Sequence, residues 1–199
     1  MTTADLTVRT RAFTGDQRTR AHALLREVAG RMAGTSAPLI RVSHADGGQP
    51  YVDVSGLSVS VSHTADLVAV AVSRLGPVGV DVEQVRAMPA VDLGRRWYAE
   101  VEADWLRELP AEARTVAFLR LWTGKEAVGK LYGRGLRNQG MSRRVPLPVR
   151  WSSGGDAAHW LSTPDDPGVL VCYRDVPGHV LAVAAGTAVR TGVVDIGPG

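Results

Sequence analysis

The chain has 199 residues, of which 45% are hydrophobic and 22% charged. That composition excludes a disordered chain, whose low hydrophobicity does not offset the entropy of folding. The 22 glycines keep no three-residue period, which excludes collagen, and no stretch approaches the run of about 18 apolar residues that crosses a bilayer. The formal net charge of +3, from 23 Lys and Arg against 20 Asp and Glu, suits phosphorylated ligands or acidic partners.

The length suits one domain or two small halves sharing a core. The N-terminus, Met1-Thr2-Thr3-Ala4-Asp5, has no basic patch followed by an apolar run. The one cysteine is Cys172. Together these lead us to expect a cytoplasmic protein without a secretory signal. Only two of the 23 basic residues are lysines, Lys125 and Lys130. In a chain that otherwise uses arginine, two lysines five positions apart call for a chemical reason, because lysine is a compact ammonium that approaches a single oxygen.

In chain order, the spacing of Leu24, Leu25, Val28 and Met32 predicts a helix from about Asp16 to Met32, stopped by Gly34. A short strand is expected at Leu39–Val42, then a turn at Asp46-Gly47-Gly48-Gln49-Pro50. Leu57, Val59 and Val61 alternate with Ser58, Ser60 and Ser62, which predicts a strand with one buried and one hydroxyl-bearing face. Leu67–Val72 reads as a buried strand and Val78–Glu83 as a third. Short helices are expected at Val91–Tyr98 and Val101–Leu109, then a longer one over Ala111–Leu131. Its buried stripe is Val116, Leu119, Val128 and Leu131, with Trp122 close by and Gly133 and Gly135 beyond its end. Strands are expected at Pro148–Trp151, Val169–Tyr173 and Val180–Ala184. Each half thus runs from a helix through short strands to an apolar strand. The fold class expected is α+β, a pseudo-duplicate of residues 1–87 and 88–199 with a cleft at their interface.

Three segments carry chemistry. In Gly79-Val80-Asp81-Val82-Glu83, strand alternation puts Asp81 and Glu83 on one face and the valines on the other. Either a divalent cation relieves the repulsion, with oxygen ligands favouring Mg²⁺, or the pair is a solvent-facing strand end; the motif alone leaves both open. In Trp122-Thr123-Gly124-Lys125-Glu126-Ala127-Val128-Gly129-Lys130, Glu126 and Lys130 share a helix face and Lys125 points elsewhere. That spacing also describes an ordinary surface pair, but the mid-helix glycines at 124 and 129, each costing about 1 kcal/mol, point to close approach of a ligand or a backbone, or to packing. The third segment is Ser60-Val61-Ser62-His63, a strand end entering a turn. Adjacent strand residues face opposite ways, so Ser62 is badly placed for activation by His63 and no Ser-His-acid triad is read here. Cys172 reads as core, and His22, His44, His159 and His179 as isolated structural residues. Neither a phosphate-binding Gly-Lys-Ser/Thr loop nor a dinucleotide fingerprint is present.

In order, Val61-Ser62-His63, Gly79-Val80-Asp81-Val82-Glu83 and Trp122 to Lys130 resemble the motifs of the 4′-phosphopantetheinyl transferase superfamily. Phe118-Leu119-Arg120-Leu121 before the third motif and Gly133-Arg134-Gly135-Leu136 after it extend the likeness, which spans residues 16–185. The length is similar to that of the larger, two-half (Sfp-like) class, a long helix on a small antiparallel sheet in each half. The resemblance implies transfer of the 4′-phosphopantetheine arm of coenzyme A to a serine of an acyl or peptidyl carrier protein, releasing adenosine 3′,5′-bisphosphate. It implies that Asp81, Glu83 and Glu126 hold Mg²⁺ and that Ser62 and His63 contact CoA phosphates, His63 the 3′-phosphate. Lys130 would neutralise the pyrophosphate, and Glu126 would take the serine proton, directly or through water. Asp81, Glu126 and Lys130 are the catalytic set so implied. Family members often have a basic residue before the proline of the turn, where this chain has Gln49, and a basic segment ahead of the first helix, which here falls to Arg9, Arg11, Arg18 or Arg20, with Arg20 taken as the CoA contact. The expected partners are coenzyme A and a carrier protein, with no nucleic acid and no membrane, for a monomer serving polyketide or nonribosomal peptide biosynthesis. The rival readings are a Mg²⁺-dependent nuclease and a non-catalytic relative that binds CoA or a carrier protein.

Overall fold

The computed structural model describes residues 4–135, 140–148 and 159–199. Its elements, in chain order, are β1 (Leu6–Ala12), α1 (Gln17–Ala33), a 3₁₀ turn (Ala37–Leu39), β2 (Val42–His44), β3 (Pro50–Val52), β4 (Ser58–His63), β5 (Leu67–Ser73) and β6 (Val78–Gln84). There follow α2 (Ala90–Trp97), α3 (Glu100–Glu108), α4 (Ala111–Leu131), β7 (Leu161–Ser162), β8 (Val169–Val176), β9 (His179–Gly186), a second 3₁₀ turn (Thr187–Arg190) and β10 (Val194–Pro198). The fold is mixed α+β, as the sequence leads one to expect.

Helix α1 begins where Asp16 accepts the Thr19 amide at 2.7 Å and ends at Gly34, which takes the left-handed conformation at φ 70°. Its apolar face, Leu24, Leu25, Val28 and Met32, packs on Val68, Val70 and Val72 of β5. The other face of β5 carries Ala69 and Ala71, which join Leu6 and Val8 in a second core with Val80, Val82, Leu181 and Val183. The buried strands are therefore apolar on both faces because each face meets a different layer. One sheet has the order β10-β1-β5-β4 and the other β6-β9-β8-β7, with β2 and β3 forming a separate hairpin.

Several expectations change. Pro38 lies in the first 3₁₀ turn, so Leu39 closes a turn and the strand expected at Leu39–Val42 is displaced to Val42–His44. Strands β1 and β10 escape the periodicity reading. β1 shows only Leu6 and Val8 as an apolar pair among Thr and Arg, and β10 contains Gly197 and Pro198. They pair in parallel, Leu6 with Val194 through Thr10 with Pro198. The sheets do not divide at residue 87: β6 lies in the second sheet, and β10 returns to the first. Of the strand expected at Pro148–Trp151, residues 149–151 lie outside the described residues.

Helix α4 is buried along most of its circumference from Ala117 to Gly129. The expected single stripe is too narrow, because α4 lies on the second sheet while α2 and α3 pack on it from another side. Its position depends on glycine. A Cβ on Gly79 of β6 would stand 1.8 Å from the Ala127 carbonyl oxygen, so α4 and β6 meet backbone to backbone. A Cβ on Gly129 would stand 2.1 Å from the Gly135 carbonyl oxygen, and one on Gly124 would stand 2.6 Å from the Tyr173 hydroxyl. Both mid-helix glycines are thus packing positions.

Replacing Gly79 by alanine is expected to destabilise the fold by about 3 kcal/mol or more, because the obstacle is backbone and has no rotamer in which to yield. Urea unfolding of Gly79→Ala against the wild type measures this; an unchanged midpoint would contradict the close packing of α4 on β6.

Candidate functional site

Strands β4 and β6 are the facing edges of the two sheets. An edge strand leaves amides and carbonyls without ladder partners. Here the serines of β4 supply them. The Ser60 hydroxyl accepts the Val80 amide at 3.0 Å, and the Ser62 hydroxyl accepts the Val82 amide at 3.4 Å. Ser62 also donates to Asp81 Oδ1 at 2.7 Å. The hydroxyl-bearing face of β4 is therefore buried as well, and Ser60 and Ser62 stitch one sheet to the other.

Lys130 completes the seam. Its Nζ donates to the Val61 carbonyl at 3.3 Å, the Val80 carbonyl at 3.0 Å and Asp81 Oδ1 at 2.8 Å. An ammonium has three N–H groups, and all three have acceptors on the two edges. Lys125 serves elsewhere, as the helix spacing implies. It is fully buried, pairs with Glu102 at 2.5 Å, donates to the Arg143 carbonyl and lies 4.7 Å from the centre of the Tyr98 ring. Glu102 also accepts the Val145 amide at 3.0 Å and the Ala99 amide at 3.2 Å, which ties α3 and the segment before Pro146 to α4.

Three carboxylates, Asp81 and Glu83 of β6 and Glu126 of α4, lie close enough to Lys130 to be influenced by it or bound to it. Asp81 is buried, and its Oδ2 has no hydrogen-bond partner among the described residues. Glu83 is half-buried and meets Arg86 at 3.3 Å. Burial, followed by the charge of Asp81, raises its pKa above the usual glutamate range. Glu126 makes no hydrogen bond among the described residues. Burial pushes it up to about 7, helped by Asp81 and Glu83 and opposed by Lys130. The mutual repulsion shows that the three acids lie within one field. An orphaned, buried carboxylate oxygen and two carboxylates whose charge is disfavoured are hard oxygen donors of the kind a divalent cation takes. Among the described residues, no three such side chains converge into a ready-made cage.

The floor opens into three adjoining cavities. One, of about 280 Å³, is lined by Gly48, Gln49, Ser60, Lys130 and the turn Gly133–Gly135. A second, of about 440 Å³, brings Ser62, His63 and Lys130 together with Arg18, His22 and His44. The third, of about 340 Å³, runs beyond Gln49 past Tyr51, Leu57, Leu131 and Tyr132.

A profile of the 4′-phosphopantetheinyl transferase superfamily matches residues 77–184, more than half of the chain. The chain belongs to this superfamily. The 4′-phosphopantetheinyl transferase psf-1 of Bacillus pumilus is 31% identical over 68% of this chain and 56% of its own. HetI of a Nostoc species is 30% identical over 59% of this chain and 52% of its own. Sfp of Bacillus subtilis is 26% identical over 81% of this chain and 70% of its own. The chain thus spans about half the length of the first two curated relatives.

The superfamily motifs meet at the seam: Ser62 and His63 end β4, Asp81 and Glu83 lie on β6, and Glu126 and Lys130 lie on one face of α4. Gln49 lines two of the cavities, and its side-chain oxygen packs against Gly133. Arg20 is exposed on α1 and is not among the residues lining these three cavities. Arg18 is, since two residues along a helix turn a side chain to the far side. Arg9 pairs with Asp195 and Arg11 with Glu27. The sequence reading takes His22 and His44 as isolated, whereas their rings stack at 5.2 Å in the wall of the second cavity. The i, i+4 spacing of Arg18 and His22 is the one local signal that could have found part of this group. His179 is structural as expected, with its ring nitrogens near the Pro177 carbonyl at 2.9 Å and Asp66 at 3.0 Å.

Both lysines are expected to carry stability. Lys125→Met leaves Glu102 as a buried, unpaired charge and should cost about 3–5 kcal/mol. Lys130→Met leaves the Val61 and Val80 carbonyls and Asp81 Oδ1 without this donor and should cost about 2 kcal/mol. Denaturant unfolding of the two variants checks both; a Lys130→Met protein as stable as wild type would free this side chain from any part in joining the sheets.

Proposed function

We propose that the chain is a Mg²⁺-dependent 4′-phosphopantetheinyl transferase acting on coenzyme A and an acyl or peptidyl carrier protein. What supports this reading is Lys130 of α4 bound to Asp81 of β6 at the junction of the two sheets, with the second Asp81 oxygen buried and without a partner among the described residues and with Glu126 raised to about 7 partly by Asp81 and Glu83. Family membership and relatives bearing the transferase name support it.

Asp81, Glu83 and Glu126 would hold Mg²⁺, which supplies Lewis-acid stabilisation to the pyrophosphate when bound. The chain's own residues do the rest. Ser62 and His63 sit at the cavity edge where CoA phosphates would lie, and the Lys130 ammonium presents fixed positive charge beside the same cavities. The carrier serine Oγ attacks the phosphorus bearing the pantetheine arm. The bond from that phosphorus to the bridging oxygen breaks, and adenosine 3′,5′-bisphosphate leaves with the electron pair. The serine proton passes to Glu126, directly or through water. The two helix-on-sheet assemblies are read as a duplicated unit with the site at their junction, and the protein as a cytoplasmic monomer.

The test mixes the protein with Mg²⁺, CoA and several apo carrier proteins and weighs the carriers by mass spectrometry. One carrier is expected to gain a phosphopantetheine unit, and chelation of the metal to abolish the gain. Glu126→Gln should lower turnover by about 10²–10⁴-fold. Because Glu126 makes no hydrogen bond among the described residues, its unfolding midpoint should stay near that of wild type. A folded Glu126→Gln protein with normal transfer would remove this residue from the mechanism.

A further inference from the structure

The second cavity contains an arrangement that the transferase reading leaves unused. His22, on the first turns of α1, and His44, at the end of β2, stack with ring centroids 5.2 Å apart and planes 29° apart. Both line the cavity together with Arg18, His63 and Lys130. The groups facing His22 are Asp16, Arg18 and Arg26 of the α1 region and His44 of β2, with His63 of β4 and Lys130 of α4 across the cavity. Apart from Asp16, which caps α1, every one is cationic or an imidazole. Gln49, at the neighbouring cavity, adds no charge.

Resting on the CoA reading above, we propose that the His22–His44 pair recognises the phosphomonoester of coenzyme A and takes up a proton when it binds. The physical argument is one of linkage. Without ligand, burial and then the neighbouring His44, Arg18 and Arg26 hold His22 below the usual histidine range, so its ring is neutral near pH 7. A phosphomonoester carries nearly two negative charges and only acceptor oxygens. Placed against the pair, it reverses the local field and rewards an imidazole that donates from both nitrogens. Binding therefore draws a proton in, and affinity falls as pH rises through the liganded pKa. A fixed guanidinium or ammonium gives no such dependence. The pair makes discrimination between CoA and dephospho-CoA, which lacks this phosphate, depend on pH.

Calorimetric titration in Mg²⁺ at pH 6.5 to 8.5, with CoA and with dephospho-CoA, tests this. For wild type, CoA affinity is expected to fall roughly tenfold across the range, the size of one charge-assisted hydrogen bond. The heat should vary with the buffer's ionisation enthalpy, showing proton uptake. Dephospho-CoA should lack the proton uptake and keep only the pH dependence that the acids of the seam give to both ligands. The variant His22→Gln/His44→Gln should bind CoA more weakly at pH 6.5 and with a flattened profile. The ligand's own phosphate ionisation is common to both proteins and cancels in the comparison. Should the double variant prove unstable, His44→Gln alone, at an exposed position, is expected to reduce the slope. Equal pH dependence in wild type and variants, or in the two ligands, overturns this inference alone. Absence of CoA binding by wild type at every pH overturns it together with the transferase reading.

Discussion

The site depends on how two sheet edges are joined without a shared ladder. Strands β4 and β6 lie against each other, yet the amides of Val80 and Val82 are met by serine hydroxyls, and the carbonyls of Val61 and Val80 by one ammonium. A continuous backbone ladder would zip the sheets together and leave no opening. Side-chain stitching satisfies these edge groups without such a ladder, and cavities lie beside the seam at Ser60, Ser62, His63 and Lys130. It also brings Asp81 to the seam with one oxygen engaged by Ser62 and Lys130 and the other left bare.

Helix α4 reaches this seam only because its approach is free of side chains at Gly79, where Ala127 lies against β6. The same close packing sets the height of Glu126 and Lys130 relative to Asp81. The motif on α4 therefore combines two demands. Glycine at 124 and 129 admits Tyr173 and the Gly135 turn, while the lysines serve different neighbourhoods. Lys125 is an interior strut between α3 and α4, and Lys130 is the bridge between sheets. Arginine would serve poorly at either place, since a planar fork fits neither one buried carboxylate oxygen beside one carbonyl nor three acceptors around one point. That is a physical account of why lysine survives at these two positions in a chain that otherwise uses arginine.

Local pattern revealed much of this. The bounds of α4, the cap of α1 at Asp16, the alternation of β4 and the facing of Asp81 and Glu83 away from Val80 and Val82 are all set by neighbours a few residues apart. The superfamily motifs added the grouping of distant segments. Elements whose existence rests on a remote partner were not legible. β1 and β10 carry too little apolar periodicity alone and become strands by pairing with each other and with β5. The burial of the serine face depends on β6, whose register no local signal encodes. His22 and His44 are separated by a helix end and a turn, and only the return of β2 over α1 turns two unremarkable histidines into a stacked pair.

The contrast between Lys130 and Glu126 sharpens the division of labour at the seam. Four positions apart on one helix face, the lysine has every proton engaged, while the glutamate makes no hydrogen bond among the described residues. A carboxylate that served the fold would be expected to find amides or a cation, as Glu102 does with Lys125 and two backbone amides. Glu126 instead sits half-buried near two other acids, and its charged form is disfavoured by burial and by their charges. A carboxylate whose charged form is disfavoured and which makes no hydrogen bond among the described residues is the kind of group that a ligand, a cation or a transferred proton relieves. The helix thus fixes an ammonium in the seam and, one turn earlier, carries an acid that makes no hydrogen bond among the described residues.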